Sequence, residues 1–414
     1  MLGPRAIEAA RLMLRLRTAE DQAVVYARLS ELGPVHVMPW KTVVVTNYEL
    51  CRHVLVDPSY AALDAAWRDQ LTPGWRTNRC LVTFHTALVT MNPPAHAPLR
   101  RTLTAELSPR VVAALGPRVA AAVDRCLEGV AETMAGGGIV DLVPALAAKL
   151  PIEILCIWLG LPTQDASQLA QLTRRWSAAH DISPTPGQLA DADLAHDTLC
   201  AYLLPHLEQR RRAPGDDTLS RWLLPAPHGG GLDIGQVLAS TALAFLGAKD
   251  LTTLITSAVH VLIAAPSLAS RLRQDAACAE AVAEDVIRLH PAIAIMSRVA
   301  TREMVLGGVS VAAGSLVQLL VHPANREAAE TSSTLSFGAG IHYCPAASLN
   351  RLTLRILLAQ LAARFPTLVC SDGPVKTEGV VFPHLPQLRA TYALAPPCPQ
   401  QRAMEGRVAD LPRR

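Results

Sequence analysis

The string Phe337-Gly338-Ala339-Gly340-Ile341-His342-Tyr343-Cys344 puts two glycines, a basic residue and a thiol within eight positions. Glycine lets backbone approach a flat ligand where any side chain would collide. A cysteine ending such a turn can aim its sulfur outward while backbone N–H groups steady a thiolate. An axial ligand under haem iron needs that arrangement. Two other residue sets can do chemistry. His96 and Arg100 stand four apart just after Pro93-Pro94, so both leave one face of a helix. Lys249 and Asp250 are adjacent charges within a long apolar stretch, where desolvation penalises either charge alone. They can pair with each other, with other helices, with substrate or with ordered water, and the acid can shuttle protons.

The elements that must position these residues are mostly helical. Residues 4–32 predict one amphipathic helix stopped at Leu32-Gly33-Pro34, then a β ribbon, 35–37 and 42–45, around a Pro-Trp turn. A short helix over 47–57 follows. Residues 59–92 lack a clean period and predict a long loop walling a binding site. Helical patterns resume from Pro94 to Gly136-Gly137-Gly138 and on to about 212, with breaks at Leu161-Pro162 and over 183–187. Asp233 can cap a long helix over 234–265 that is apolar all round and should cross the interior. A helix over 279–290, β-rich sequence over 297–320, a helix over 346–364 and weak strands complete the pattern. No repeat or long linker divides the chain, so a single domain over 1–395 is expected, with a disordered tail over 396–414.

Composition narrows the classes. Half of the 414 residues are hydrophobic, enough for a sizeable core, while only 4% are aromatic, so that core is mainly Leu, Val and Ala. Arginines outnumber lysines 34 to 4, yet the net charge of +3 is too small for a nucleic-acid footprint. Nine cysteines without a CxxC pair read as buried thiols of a reducing compartment. Charges at Arg5, Glu8, Arg11, Arg15 and Arg17 exclude a signal peptide or anchor there, and the apolar stretch 237–248 is too short to span a bilayer. A soluble, cytoplasmic protein without membrane contact is expected.

FGAGIHYC resembles the haem-thiolate loop of the cytochrome P450 superfamily in its bacterial form, FGxGxHxC, with five fixed identities in eight positions. The strings Leu150-Pro151-Ile152-Glu153, Leu159-Gly160-Leu161-Pro162 and Leu306-Gly307-Gly308-Val309 extend the resemblance to about residue 395. It implies a mainly α fold with a small β-rich subdomain, and haem b between the long central helix and the cysteine-loop helix. Cys344 would be the axial thiolate and metal ligand, within a loop formed by Phe337, Gly338, Gly340 and His342. His96, Arg100, Arg298 and His342 match the residues that contact the haem propionates. Asp285 and Arg288 match a buried Glu-x-x-Arg ion pair, with Asp for Glu or with Glu284 as substitute. Substrate would meet Ala244, Gly247 and Ala248 of the long helix, the 180–187 region, and Trp67, Trp75 or Phe84.

The sequence also departs from that family. The oxygen-activation signature, small–Gly–x–acid–Thr, reads Leu246-Gly247-Ala248-Lys249-Asp250-Leu251 here. Ungapped, Lys249 takes the acid's place and Asp250 the threonine's; slipped by one, Asp250 remains the acid and Leu251 replaces the alcohol. Lys249 and Asp250 are therefore the candidate catalytic residues. Between Asn325-Arg326 and Phe337 the segment is roughly twenty residues shorter than usual, and Thr334 stands where a histidine is customary. The resemblance implies an oxygen- or peroxide-dependent oxidoreductase acting on a secondary-metabolite intermediate, with electrons from a ferredoxin or flavodoxin. Certain members instead activate a glycosyltransferase partner in antibiotic biosynthesis. They typically lack the haem cysteine, which Cys344 preserves here.

Overall fold

The computed structural model describes residues 3–19, 21–181, 184–224, 232–328, 334–371 and 377–392. Its organising member is the 31-residue central helix Ile234–Ala264. Asp233 starts it as anticipated: its carboxylate accepts the Gln236 amide at 2.8 Å, and the Gln236 side chain accepts the Asp233 amide at 3.0 Å. Two otherwise orphaned donors are thereby satisfied. Phe245, Leu246, Leu251, Leu254 and Ile255 are buried against Lys149–Leu159, Ala166–Ser177, Pro186–Arg212, Cys278–Leu289 and Ala347–Arg364. By length and composition this helix could cross a membrane, contrary to the reading of its shorter 237–248 stretch. Its packing on five other helices makes it the core helix. Within its apolar stretch Ala244, Gly247 and Ala248 stay at least partly open, so the helix is not enclosed all round.

The β-rich corner is one five-stranded sheet in the order Val35–Val37, Val43–Val45, Leu316–Leu320, Ile295–Ala300, Tyr60–Ala61. Val43–Val45 runs parallel to Leu316–Leu320, and the remaining pairs are antiparallel. Arg298 lies opposite Val317 in this sheet. Leu306-Gly307-Gly308-Val309 closes the hairpin Met304–Leu306/Val309–Val311, both glycines at positive φ, as a two-residue turn of that hand requires. Val140–Asp141, Arg389–Tyr392 and Leu368–Cys370 form a second, three-stranded sheet. The expected tail over 396–414 lies outside the described residues.

Three local readings change. The single helix over 4–32 is two, Pro4–Arg15 and Gln22–Leu32, because Asp21 restarts the chain by accepting the Ala23 amide. The supposed loop over 59–92 contains Ala65–Leu71, capped by Asp64, and Arg79–Thr86, with a single turn between them. Helices Thr218–Leu223, Pro266–Gln274 and Val321–Glu327 had no counterpart in the periodicity.

Asp285, not Glu284, pairs with Arg288, at 2.9 Å, and Glu284 instead holds Arg351 of the cysteine helix at 2.6 Å. Asn325 continues the Arg288 network: its side chain donates to the Arg288 carbonyl and to Ser336 Oγ, and accepts the Leu335 amide. Ser336 Oγ in turn donates to the Ile287 carbonyl. The start of the cysteine loop is thus fastened to helix Cys278–Leu289 by buried polar bonds. Asp285→Ala should cost about 2–4 kcal/mol, below the roughly 3–5 of a wholly buried pair because Asp285 keeps a quarter of its side chain in water. Glu284→Ala, removing a pair about one-third exposed on both sides, should cost at most about 1 kcal/mol. Urea denaturation midpoints compare the two, and equal losses would contradict the assignment.

Candidate haem site

The cysteine loop is built by backbone. The Gly338 amide donates to the Leu335 carbonyl and the Cys344 amide to the Phe337 carbonyl, both at 2.8 Å, so the loop closes on itself before helix Ala347–Arg364 begins. Gly338 and Gly340 sit at φ +71° and +68°. At Gly340 a Cβ would also lie 2.6 Å from the Leu55 carbonyl oxygen, so only glycine fits. Phe337 is buried under the Arg351 guanidinium, 4.9 Å from its ring centre, and Arg351 also donates to the Tyr343 hydroxyl at 2.9 Å. Arg351 is a loop-fixing residue that the motif alone does not mark. Its signal is a basic residue seven positions after the cysteine, about one turn into the helix that follows.

Around Cys344 the structure gathers the four basic residues from one helix, one strand and the loop itself. His96 opens helix His96–Ala105, is buried, and has an Nε2 without a hydrogen-bond partner among the described residues. Its ring centre is 4.6 Å from that of His342. Arg100 donates to the Tyr343 carbonyl at 2.5 Å, and among the described residues Arg298 donates only to the neighbouring Ser297 carbonyl at 2.9 Å. Burial lowers the pKa of Arg298 to about 10. Burial, then Arg298, His96 and Arg100, pushes His342 down to about 3. Among the described residues, no carboxylate contributes to the environment of any of the four. Buried cations without a counter-charge are costly. A ligand bearing two carboxylates, as haem does, fits this set and would fill the orphaned His96 nitrogen.

The opposite wall is the central helix. Apart from the helix's own backbone and the chain neighbours, no atom of the described residues lies within 4 Å of where a Cβ on Gly247 would stand, so the helix opens there next to Ala244 and Ala248. Lys249 Nζ donates to Asp250 at 2.7 Å and lies 3.3 Å from the centre of the Phe382 ring. Of the partners the sequence left open, the structure therefore pairs these two with each other. Burial lowers the lysine's proton affinity, and Asp250 partly restores it. Asp250 is also near enough to act on Cys344, whose thiol is pushed up to about 11 by burial first, against an Ala346 amide that favours the thiolate. A bound metal cation reverses that preference, since the thiolate is the form that ligates. The neighbouring alcohol does not replace the missing one, because Thr252 Oγ1 turns back to the Ala248 carbonyl of its own helix, 3.4 Å away.

The candidate walls divide. Trp75 is buried, bonded through Nε1 to Asp69 and set edge-on to His85, so it is core. Phe84 packs against His180 with ring centres 4.4 Å apart. Trp67 stays partly exposed in the helix Ala65–Leu71. Of the 180–187 region, residues 182 and 183 lie outside the described residues.

No protein-family model matches the chain. It is 32% identical over 296 residues to the erythromycin C-12 hydroxylase of Saccharopolyspora erythraea, covering 66% of this chain and 72% of that one. It is 29% identical over 395 residues to the cytochrome P450 monooxygenase PikC of Streptomyces venezuelae, covering 91% of each. Its fold superposes on the ligand-free crystal structure of Mycobacterium smegmatis CYP164A2 with a TM-score of 0.80 and 25% identity, over 92% of this chain and all of the other. These relatives are named for oxygenation, which supports an oxidoreductase and gives no support to the glycosyltransferase-activator alternative. The chain belongs to the bacterial cytochrome P450 superfamily, and is a monooxygenase-type enzyme with haem held by a cysteine thiolate.

Proposed function

We propose that His96, Arg100, Arg298 and His342 clamp the two haem propionates, and that Asp250 manages protons on the distal side for oxidation of a natural-product intermediate. The observation that carries this reading is the convergence of four basic groups on the cysteine loop with no carboxylate of the described residues to balance them. Haem with a thiolate ligand supplies, when bound, the activation of dioxygen or peroxide for oxidising a substrate. The chain's own residues do the rest. Ala244, Gly247 and Ala248 leave room beside the central helix for substrate, and Phe382 and Lys249 shield Asp250 from bulk water. The names of the relatives, an erythromycin hydroxylase among them, favour a secondary-metabolite substrate. Each charge-assisted hydrogen bond to a propionate is worth about 1.5–3 kcal/mol, so His96→Ala with Arg298→Ala should speed haem loss to apomyoglobin by at least about tenfold. Unchanged haem loss would remove these residues from the clamp.

The electron donor is a ferredoxin or flavodoxin in this reading. Behind the cysteine loop lies a hollow of about 370 Å³ lined by Arg52, Val56, Thr334, Gly340, Tyr343 and Arg351, among others. It adjoins the shortened segment, whose residues 329–333 lie outside the described ones. With docking surface missing, reduction by a generic ferredoxin should be slower than in a relative that keeps the longer segment, chiefly through association. Stopped-flow reduction at varied donor concentration measures this; equal second-order rates would show that the shortening leaves docking intact.

A further inference from the structure

Above the central helix sits a second group of unmet polar atoms. His180 ends the single turn Ala178–His180, and both its ring nitrogens are buried without a hydrogen-bond partner among the described residues. The Trp176 carbonyl, four residues back, lies close enough to favour protonation but makes no hydrogen bond of acceptable geometry with the ring. Its aromatic contacts are Phe84, at 4.4 Å between ring centres, and the edge of Trp176, at 6.1 Å. The charged and titratable groups facing it are Lys249 of the central helix, His85 of Arg79–Thr86 and Arg68 of Ala65–Leu71. Of these, Lys249 is occupied by Asp250, and His85 Nδ1 by the Leu63 carbonyl at 3.0 Å. Arg68 is different. Among the described residues its Nε is buried without a partner, and no acidic group offsets the desolvation of its guanidinium.

The rest of the chamber is fixed around this pair. Asp181, next to His180, accepts the amides of Val380 and Val381, each at 3.3 Å. That bond holds the turn that lays Phe382 over Lys249. A Cβ on Gly379 would fall 2.4 Å from the Phe382 carbonyl oxygen, so the turn is closely packed. The result is a cluster of aromatic rings in which a cation and an imidazole are left unsatisfied among the described residues. An unmet buried donor is costly, so a ligand that fills it gains affinity. A hydroxyl can serve the imidazole but leaves the guanidinium without counter-charge. A carboxylate has an oxygen for each and neutralises Arg68.

We propose that Arg68 and His180 form an anion-binding subsite of the substrate chamber, and that the substrate is a carboxylic acid with an apolar body. This rests on the haem-thiolate reading above. Held there by its carboxylate, the substrate lays its apolar portion along Phe84 and Phe382 toward the opening at Gly247.

The test is optical titration of the haem-containing protein with octanoate, dodecanoate and 4-phenylbutyrate, each against its methyl ester. At least one acid should shift the Soret band with an affinity about tenfold or more above its ester, the value of one charge-assisted bond. Arg68→Gln should erase that preference while leaving ester binding nearly unchanged, and His180→Phe should reduce it. If Arg68→Gln does not fold, His180→Phe and Arg68→Lys carry the comparison. Esters binding as tightly as acids, a variant that weakens both alike, or no carboxylate-dependent shift with any pair would overturn the proposal. The carbon monoxide spectrum of each sample keeps the two readings apart. A normal thiolate band with no acid preference sinks the subsite alone, whereas loss of that band in the unmodified protein sinks the haem reading beneath it.

Discussion

Asp250→Asn is expected to slow turnover by about 10²–10⁴-fold, the span for a positioned acid or base, with haem content and substrate affinity nearly unchanged. The carboxylate lies on the central helix, paired with Lys249 at 2.7 Å and near enough to Cys344 to act on its charge. No threonine hydroxyl takes its place, because Thr252 bonds back to its own helix. The substitution keeps shape and removes titration. It also strips a largely buried lysine of its counter-ion, since the Lys249 side chain is only 17% exposed. Lys249→Gln/Asp250→Asn separates the two effects, because it removes both charges together. If the pair merely holds the helix, the double variant regains turnover. If Asp250 moves protons, it stays slow. Reductant consumed without product, appearing as hydrogen peroxide, reads the same defect independently of substrate binding, and a ratio equal to the unmodified protein's would assign the proton path elsewhere.

Cys344→Ala should abolish the thiolate-type carbon monoxide band and all haem-dependent turnover. Outer partners of a metal ligand are worth roughly 10–100-fold in metal affinity or activity, so losing the ligand itself should exceed that. The fold should survive with a change of at most about 1 kcal/mol in the haem-free protein, because the loop is closed through the Cys344 amide and not its sulfur. Persistence of a thiolate band would point to another cysteine. Burial pushes the thiols of Cys51, Cys80, Cys126 and Cys156 well above the usual cysteine range, making that outcome physically remote.

The residues legible from sequence are those whose identity is set by local backbone or by fixed spacing. Gly338 and Gly340 are glycines because their φ values are positive, so the cysteine loop is visible in eight letters. The capped start at Asp233 and the long apolar run likewise locate the central helix within one residue at either end. Short helices were lost where fewer than two turns give no measurable period, as in Ala65–Leu71. The break before Gln22 was hidden because apolar residues recur at helical spacing through it, and only the Asp21 cap marks the restart. The choice between Asp285 and Glu284 depended on which side of the helix met Arg351, a contact 67 residues away. His180 and Arg68 lay within the walls read over 180–187 and 59–92, but nothing in the sequence marked either residue itself. Their significance is the absence of partners, which exists only once three elements have been packed together.

The central claim is that Cys344, in its glycine loop beneath four basic groups, binds haem as a thiolate. The most direct measurement is the absorption spectrum of the purified, reduced protein under carbon monoxide, with haem quantified per chain. The account predicts one haem per chain and the red-shifted Soret band that thiolate ligation produces. Folded protein without haem, even when expressed with excess haem precursor, or a band at the position given by a neutral ligand, would contradict it.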